Sequence, residues 1–216
     1  MGQATQWFLS EQGYTHTRVH RCPEKTKLFR EYHGAPDPNF LFLEQTLLRR
    51  MKVHKRGQVA YFSVRAWRQS VRELQLKAMR NLKRSPSEES AKQIAREIAE
   101  AAMLITNGAA FDCVCPVPAG SSGKTNNFAT IISWYVSKEL ELAHYQALEN
   151  VTVAKSYGSS HPQQSRHFRS RVVDHRVRNK MCLLIDDVAT TGTHFARCVG
   201  QLAKHDTSTI CITWIG

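Results

Sequence analysis

The chain has no Cys-x-x-Cys pair, no apolar run long enough to cross a bilayer and a shortage of acidic residues, and each absence removes a class of protein. Its six cysteines, Cys22, Cys113, Cys115, Cys182, Cys198 and Cys211, lack the paired spacing from which thiolate zinc sites are built. Cys113, Cys115, Cys182 and Cys211 sit in or beside apolar, strand-like stretches, where a reduced thiol behaves as a small hydrophobe, so they read as core residues. The longest apolar runs, 181–185 and 210–215, fall far short of the roughly 20 residues a spanning helix needs, so no membrane partner is expected. The opening residues Met1 to Trp7 hold no basic stretch followed by an apolar one, which argues against a secretory leader and for a cytoplasmic location.

What is abundant is positive charge. Thirty Lys and Arg face 18 Asp and Glu, giving a formal charge of +12 and a sequence pI near 9.7. Such a surface draws in polyanions or highly charged phosphates. Nucleic acid is the usual inference, but a cleft for a small polyphosphate also needs cations, so charge alone does not separate the two. With 216 residues, 42% of them hydrophobic, the chain closes one core of ordinary size. Residues 1–57 mix aromatic, basic and turn-forming residues around one short amphipathic stretch, 39–53, and read as an extension packed on the core. Residues 58–216 read as the domain itself.

Within 58–216 the periodicity alternates. Val59 to Val64 has strand propensity, and apolar residues then recur at helical spacing at Trp67, Val71, Leu74, Met79 and Leu82. In Ser85-Pro86-Ser87-Glu88 a capping hydroxyl precedes proline and, three residues on, a carboxylate, which predicts a helix over 86–106. Its buried stripe would be Ala91, Ile94, Ala95, Ile98, Ala102 and Ile105, with Asn107-Gly108 ending it in a left-handed turn. Beyond it the expected order is strand (111–117), Gly/Ser-rich loop (118–124), helix (126–142), strand (151–155), basic loop, strand (181–185), tight loop, helix (194–204) and strand (209–214). Strands alternating with helices imply an α/β fold, a mostly parallel sheet with helices on both faces, and such sheets bind ligands at the carboxyl ends of their strands.

Three loops carry the chemistry. The strongest signal is Met181-Cys182-Leu183-Leu184-Ile185-Asp186-Asp187-Val188-Ala189-Thr190-Thr191-Gly192-Thr193-His194. An apolar strand delivers two acids to its tip and the chain turns through small hydroxyl residues and a glycine into a helix. Exposed amides at such a helix start cradle a phosphomonoester. The paired carboxylates can accept hydrogen bonds from ribose hydroxyls and act on an adjacent Mg²⁺ through water. A plain strand end with a solvated acidic pair explains neither the doubled acid nor the Thr-Thr-Gly-Thr turn.

The second loop is Pro118-Ala119-Gly120-Ser121-Ser122-Gly123-Lys124-Thr125, whose small residues let the backbone approach a pyrophosphate while Lys124 supplies a point charge. It comes close to a nucleoside-triphosphatase loop, but Pro118 stands where that loop needs its first glycine, lacks an amide hydrogen and cannot take positive backbone angles. The third feature runs from Lys155 to Lys180, with seven Lys or Arg against the single Asp174. It is solvated, faces nucleic acid, or closes as a lid over an anion.

At residues 181–193 the sequence resembles the 5-phosphoribosyl-1-pyrophosphate (PRPP) signature of type I phosphoribosyltransferases. Val117-Pro118 at a strand end, Pro162-Gln163 with Arg171 eight residues after Gln163, and Leu74 to Ala78 are similar to the ComF-like, competence-associated branch of bacterial proteins. Asp174 stands where that branch usually has asparagine, Ala189 replaces a larger aliphatic residue, His194 replaces a small hydroxyl residue, and amino-terminal zinc cysteines are missing. The resemblance covers about residues 61–215.

It implies a type I phosphoribosyltransferase-like fold, with Asp186 and Asp187 on the ribose and, through water, on Mg²⁺. It places Ala189, Thr190, Thr191, Gly192, Thr193 and His194 around the 5′-phosphate, with His194 either donating to the phosphate or only beginning the helix. Ala119, Gly120, Ser121, Ser122, Gly123 and Lys124 would take the pyrophosphate, and Gln163, Arg166, Arg169 and Arg171 would lie in the lid. The implied reaction is pentosyl transfer from PRPP with release of pyrophosphate to an acceptor the residues do not name, in a homodimer or larger assembly. The rival is a weakly catalytic or non-catalytic PRPP- or nucleotide-binding protein. It would act with nucleic acid in DNA uptake, or as effector of a bacterial antiviral defence complex such as a retron-associated one.

Overall fold

A computed structural model describes residues 37–68, 70–119, 127–151 and 168–216. Helix α1 (Pro38–Thr46) is capped by Asp37, whose carboxylate accepts from the Asn39 amide at 2.7 Å, and it buries Phe40 and Leu43 completely. Strands β1 (Leu47–Leu48) and β2 (Lys52–Arg56) both pair antiparallel with β3 (Val59–Trp67). The amphipathic stretch 39–53 is therefore a short helix and strand pieces, since Phe40 and Leu43 carry the burial at helical spacing while β2 follows an edge.

Helix α2 (Glu73–Arg84) starts later than the apolar spacing from Trp67 suggests, because β3 runs on through Trp67. Helix α3 (Glu88–Thr106) begins two residues later than the Ser85-Pro86 reading places it. The cap is Ser87, whose hydroxyl accepts from the Ser90 amide at 3.1 Å, so Glu88 and Glu89 face the positive helix start. The expected stripe is buried, with Ile105 at its margin, and Asn107 and Gly108 adopt φ of 51° and 79° to end the helix.

The remaining elements are β4 (Cys113–Pro116), α4 (Phe128–Glu139), β5 (Ala143–His144), β6 (Leu148–Asn150), β7 (Ser170–Val172), β8 (Met181–Val188), α5 (Thr193–Leu202) and β9 (Ser208–Ile215). The strand expected over 151–155 lies mostly outside the described residues; β6 ends just before it. The main sheet has the order β1-β3-β9-β8-β4-β5, with β2 also on β3, and every pairing from β3 to β5 is parallel. Strands β6 and β7 form a separate antiparallel pair.

Alternation along the central strands divides the core. Leu183, Ile185, Val114, Ile212 and Trp214 face α1 to α4, whereas Cys182, Leu184, Cys113, Cys115 and Cys211 face α5 and the β6–β7 pair. On the first face Arg65 is gripped by Glu97 at 2.8 and 2.5 Å, and Glu97 also accepts from the Trp214 indole at 3.0 Å. That network locks β3, β9 and α3 together. No described helix is long and apolar enough to cross a membrane.

Candidate functional site

Strand β8 lies between β9 and β4, so its carboxyl end is held from both sides before the chain leaves the sheet. The strand runs three residues further than its apolar stretch, carrying Asp186 and Asp187 inside the ladder. Alternation then sends the acids to opposite faces: Asp186 follows Cys182 and Leu184, and Asp187 follows Leu183 and Ile185. After Val188 the chain is tied back by the Ala189 amide, which donates to the Ile215 carbonyl at 3.0 Å. Ala189 is buried in this turn, and the small side chain suits the close approach.

Gly192 takes φ +67° at the cap of α5, a conformation that costs other residues energy. Its missing side chain also makes room for the Tyr61 ring, which stacks on His54 at 4.9 Å and packs on Phe195 at 5.3 Å. Among the described residues, none accepts from the amides of Thr190, Thr191, Gly192 or Thr193. The residues that carry these amides, at the start of α5, line a cavity of about 260 Å³. Asp186, Val188, Ala189, the whole 190–195 turn, Phe168 and Arg197 line it. The Thr191 and Thr193 hydroxyls are 2.9 Å apart, on an exposed and a half-buried residue, so either can turn toward an anion.

The electrostatics of this turn are mixed. Burial, and then the neighbouring Asp187 charge, push the Asp186 carboxyl well above the usual carboxylate range, while Lys83 pulls it back. Lys83 Nζ lies 2.8 Å from Asp187 Oδ1, and the same oxygen accepts from the Val188 amide at 2.7 Å. Asp187 is thus ion-paired within the protein, and it does not line the cavity that Asp186 enters. His194 does not begin the helix, since Thr193 does; its ring stacks on Phe168 at 4.2 Å. Burial lowers the His194 pKa below its ordinary value. Arg197 Nη1 donates to the Phe168 carbonyl, placing a guanidinium beside the turn.

Of the residues read as pyrophosphate-binding, only Ala119 is described: its carbonyl accepts from Asn150 Nδ2 at 2.9 Å at the carboxyl end of β4. Gly120, Ser121, Ser122, Gly123 and Lys124 lie outside the described residues, as do Gln163 and Arg166. Arg169 and Arg171 are described. Arg171 sits in β7 and pairs with Glu149 of β6, and the Arg169 carbonyl accepts from the Val151 amide at 2.8 Å.

Lys83, Phe168 and Arg197 join the site without having been singled out by the sequence. Lys83 follows the last apolar position of α2, and nothing in local spacing marks a lysine there as different from its neighbours Lys77 and Arg84. The sheet register also gathers Cys113, Cys115 and Cys182, whose sulfurs lie within 4.8 Å of one another although no paired motif joins them. Hydrogen bonds from Cys115 and Cys182 pull the Cys113 thiol down to about 4, whereas hydrogen bonds to Cys113 and Cys115, and then burial, push Cys182 well above the usual thiol range; Cys115 is raised by the Cys113 hydrogen bond and burial. All three are buried in this apolar layer.

No protein-family model and no curated protein sequence matches the chain. Solved structures do. Adenine phosphoribosyltransferase from Saccharomyces cerevisiae aligns over 82% of this chain and 87% of its own, at 10% identity and a TM-score of 0.41. Purine phosphoribosyltransferase from Pyrococcus horikoshii aligns over 58% of this chain and 86% of its own, at 13% identity and 0.39. A hypothetical protein from Neisseria gonorrhoeae with bound ppGpp aligns over 57% of this chain, at 18% identity and 0.39; the chain spans 65% of that protein's length.

Proposed function

We propose that the chain is a PRPP-binding phosphoribosyltransferase that holds the 5′-phosphate in the turn from Ala189 to His194, transfers the phosphoribosyl group from C1 of PRPP to an acceptor not yet identified, and releases pyrophosphate as the leaving group. The observation that supports this reading is the cavity at the end of β8, lined together by Asp186 and by the turn residues whose amides are uncommitted and whose Thr191 and Thr193 hydroxyls meet. A phosphomonoester there would take charge-assisted hydrogen bonds from the turn and the positive end of α5, with Arg197 beside it. Asp186 from the cavity side and Asp187 from the other side of the strand tip would accept from the ribose hydroxyls, fixing the sugar for attack at C1.

The acids fit Mg²⁺ only at second hand. Asp186 is buried with its carboxyl raised, and Asp187 Oδ1 is already occupied by Lys83 and an amide, which suits contact through metal-bound water and not direct ligation. When bound, Mg²⁺ would offset charge on the leaving pyrophosphate. Lys124 and the 119–124 loop would share that task, and the 163–171 segment would cover it.

The +12 charge also favours a second reading, in which the same turn binds a nucleotide and the protein works with nucleic acid or within a bacterial defence assembly without turnover. Pyrophosphate release from PRPP, assayed with a panel of bases, nucleosides and single-stranded DNA, separates the two. Turnover with a free base supports the transferase; salt-sensitive DNA binding without turnover supports the accessory role. PRPP that neither binds nor turns over would sink the transferase, and absence of nucleotide and DNA binding would sink the accessory role.

A further inference from the structure

Lys83 is the unexpected cation of this site. It lies in the last turn of α2, on the helical face of the sheet opposite the cavity, and its ammonium reaches the strand tip to meet Asp187 Oδ1 at 2.8 Å. An exposed lysine pair contributes little, but here the partner side chain is only 9% exposed.

We propose that Lys83 is a positioning residue for the sugar, acting through Asp187: its ammonium holds that carboxylate oriented by one oxygen, leaving the second to a ribose hydroxyl. This rests on the reading that the 189–194 turn receives a sugar phosphate. The geometry fits the role: Lys83 and the Val188 amide both fall on Oδ1, and the Asp187 amide is itself spent on Asp186 Oδ1 at 2.9 Å. The carboxylate is thereby oriented before any ligand arrives. The influence reaches further, since the Lys83 charge also opposes the upward shift of Asp186 and adds to the lowering of His194.

The test uses two ligands that share a phosphate and differ in the sugar. Calorimetric titration of the full chain in EDTA with ribose 5-phosphate and with inorganic phosphate would be run on wild type, Lys83→Met, Lys83→Arg, Asp187→Asn and the double variant Lys83→Met/Asp187→Asn. Loss of one charge-assisted acceptor predicts that Lys83→Met weakens ribose 5-phosphate by about tenfold or more and phosphate by less than about twofold. Lys83→Arg should restore most of the loss, and Lys83→Met should add nothing in the Asp187→Asn background. Equal weakening of both ligands, unchanged ribose 5-phosphate affinity in Lys83→Met, or full additivity in the double variant would overturn the proposal. Should Lys83→Met not fold, as read by its thermal melt, the Lys83→Arg and Asp187→Asn arms still decide it: Asp187→Asn must lose ribose 5-phosphate selectively. Wild-type protein that binds neither ligand overturns the reading beneath, and the proposal with it.

Discussion

Replacing Gly192 with alanine attacks the turn at its most constrained point. A left-handed φ of +67° costs an L-residue roughly 1–2 kcal/mol. The new methyl would also fall on Tyr61 Cε1, well inside contact distance, and lie 3.1 Å from Cδ1 and 3.2 Å from the Arg56 Cβ. The ring cannot simply step aside, because it is 3% exposed and held between His54 and Phe195. Overpacking of this kind costs about 1–3 kcal/mol, so the total is about 2–5 kcal/mol. For a chain of this size that lowers the melting temperature by about 2–4 °C per kcal/mol, measurable by calorimetry or urea denaturation. Because the strain sits in the cradle, phosphate affinity should fall as well. A variant within about 0.5 kcal/mol of wild type, a shift typical of neutral surface changes, would refute the reasoning about this turn.

Three further outcomes are expected. Ser87→Ala should destabilise the protein by about 1 kcal/mol in urea, since its hydroxyl caps α3, whereas Ser85→Ala should cost less than half of that. Glu97→Ala should cost about 3–5 kcal/mol in the same assay, because Arg65 is 4% exposed and would keep only Glu44, while the Trp214 indole loses its acceptor. His194, whose pKa burial lowers, should titrate below an unperturbed histidine by NMR. The unfolded chain then takes the proton first, so this residue's contribution to stability is complete above its unfolded pKa of about 6.5 and is lost as pH falls through the folded value. Stability of His194→Phe should depend less steeply on pH over that window.

Periodicity and turn chemistry made much of the fold legible. The stripe of α3 and its Asn107-Gly108 stop follow from local rules, because each residue there answers to its own helix. Boundaries shifted where tertiary contacts overrode propensity: β3 continues through Trp67 because β1 pairs with its end, and Ser87 captures the cap because its hydroxyl also binds Ser90 Oγ at 2.7 Å. The turn from Asp186 to His194 was legible because a doubled acid before Thr-Thr-Gly-Thr is contiguous. Lys83 and Arg197 were not, since one comes from another helix, about a hundred residues earlier, and the other lies within an ordinary amphipathic turn. The gathering of Cys113, Cys115 and Cys182 was equally hidden, because it depends on the register between β4 and β8.

The central claim is that free backbone amides after β8 grip a sugar phosphate. Its most direct test is an amide ¹H–¹⁵N spectrum of the protein titrated with PRPP. Shifts concentrated on Thr190 to His194, saturating with one equivalent of ligand and abolished in Gly192→Ala, are the predicted result. Saturable shifts elsewhere with these amides unmoved, or no shifts at all, would contradict it.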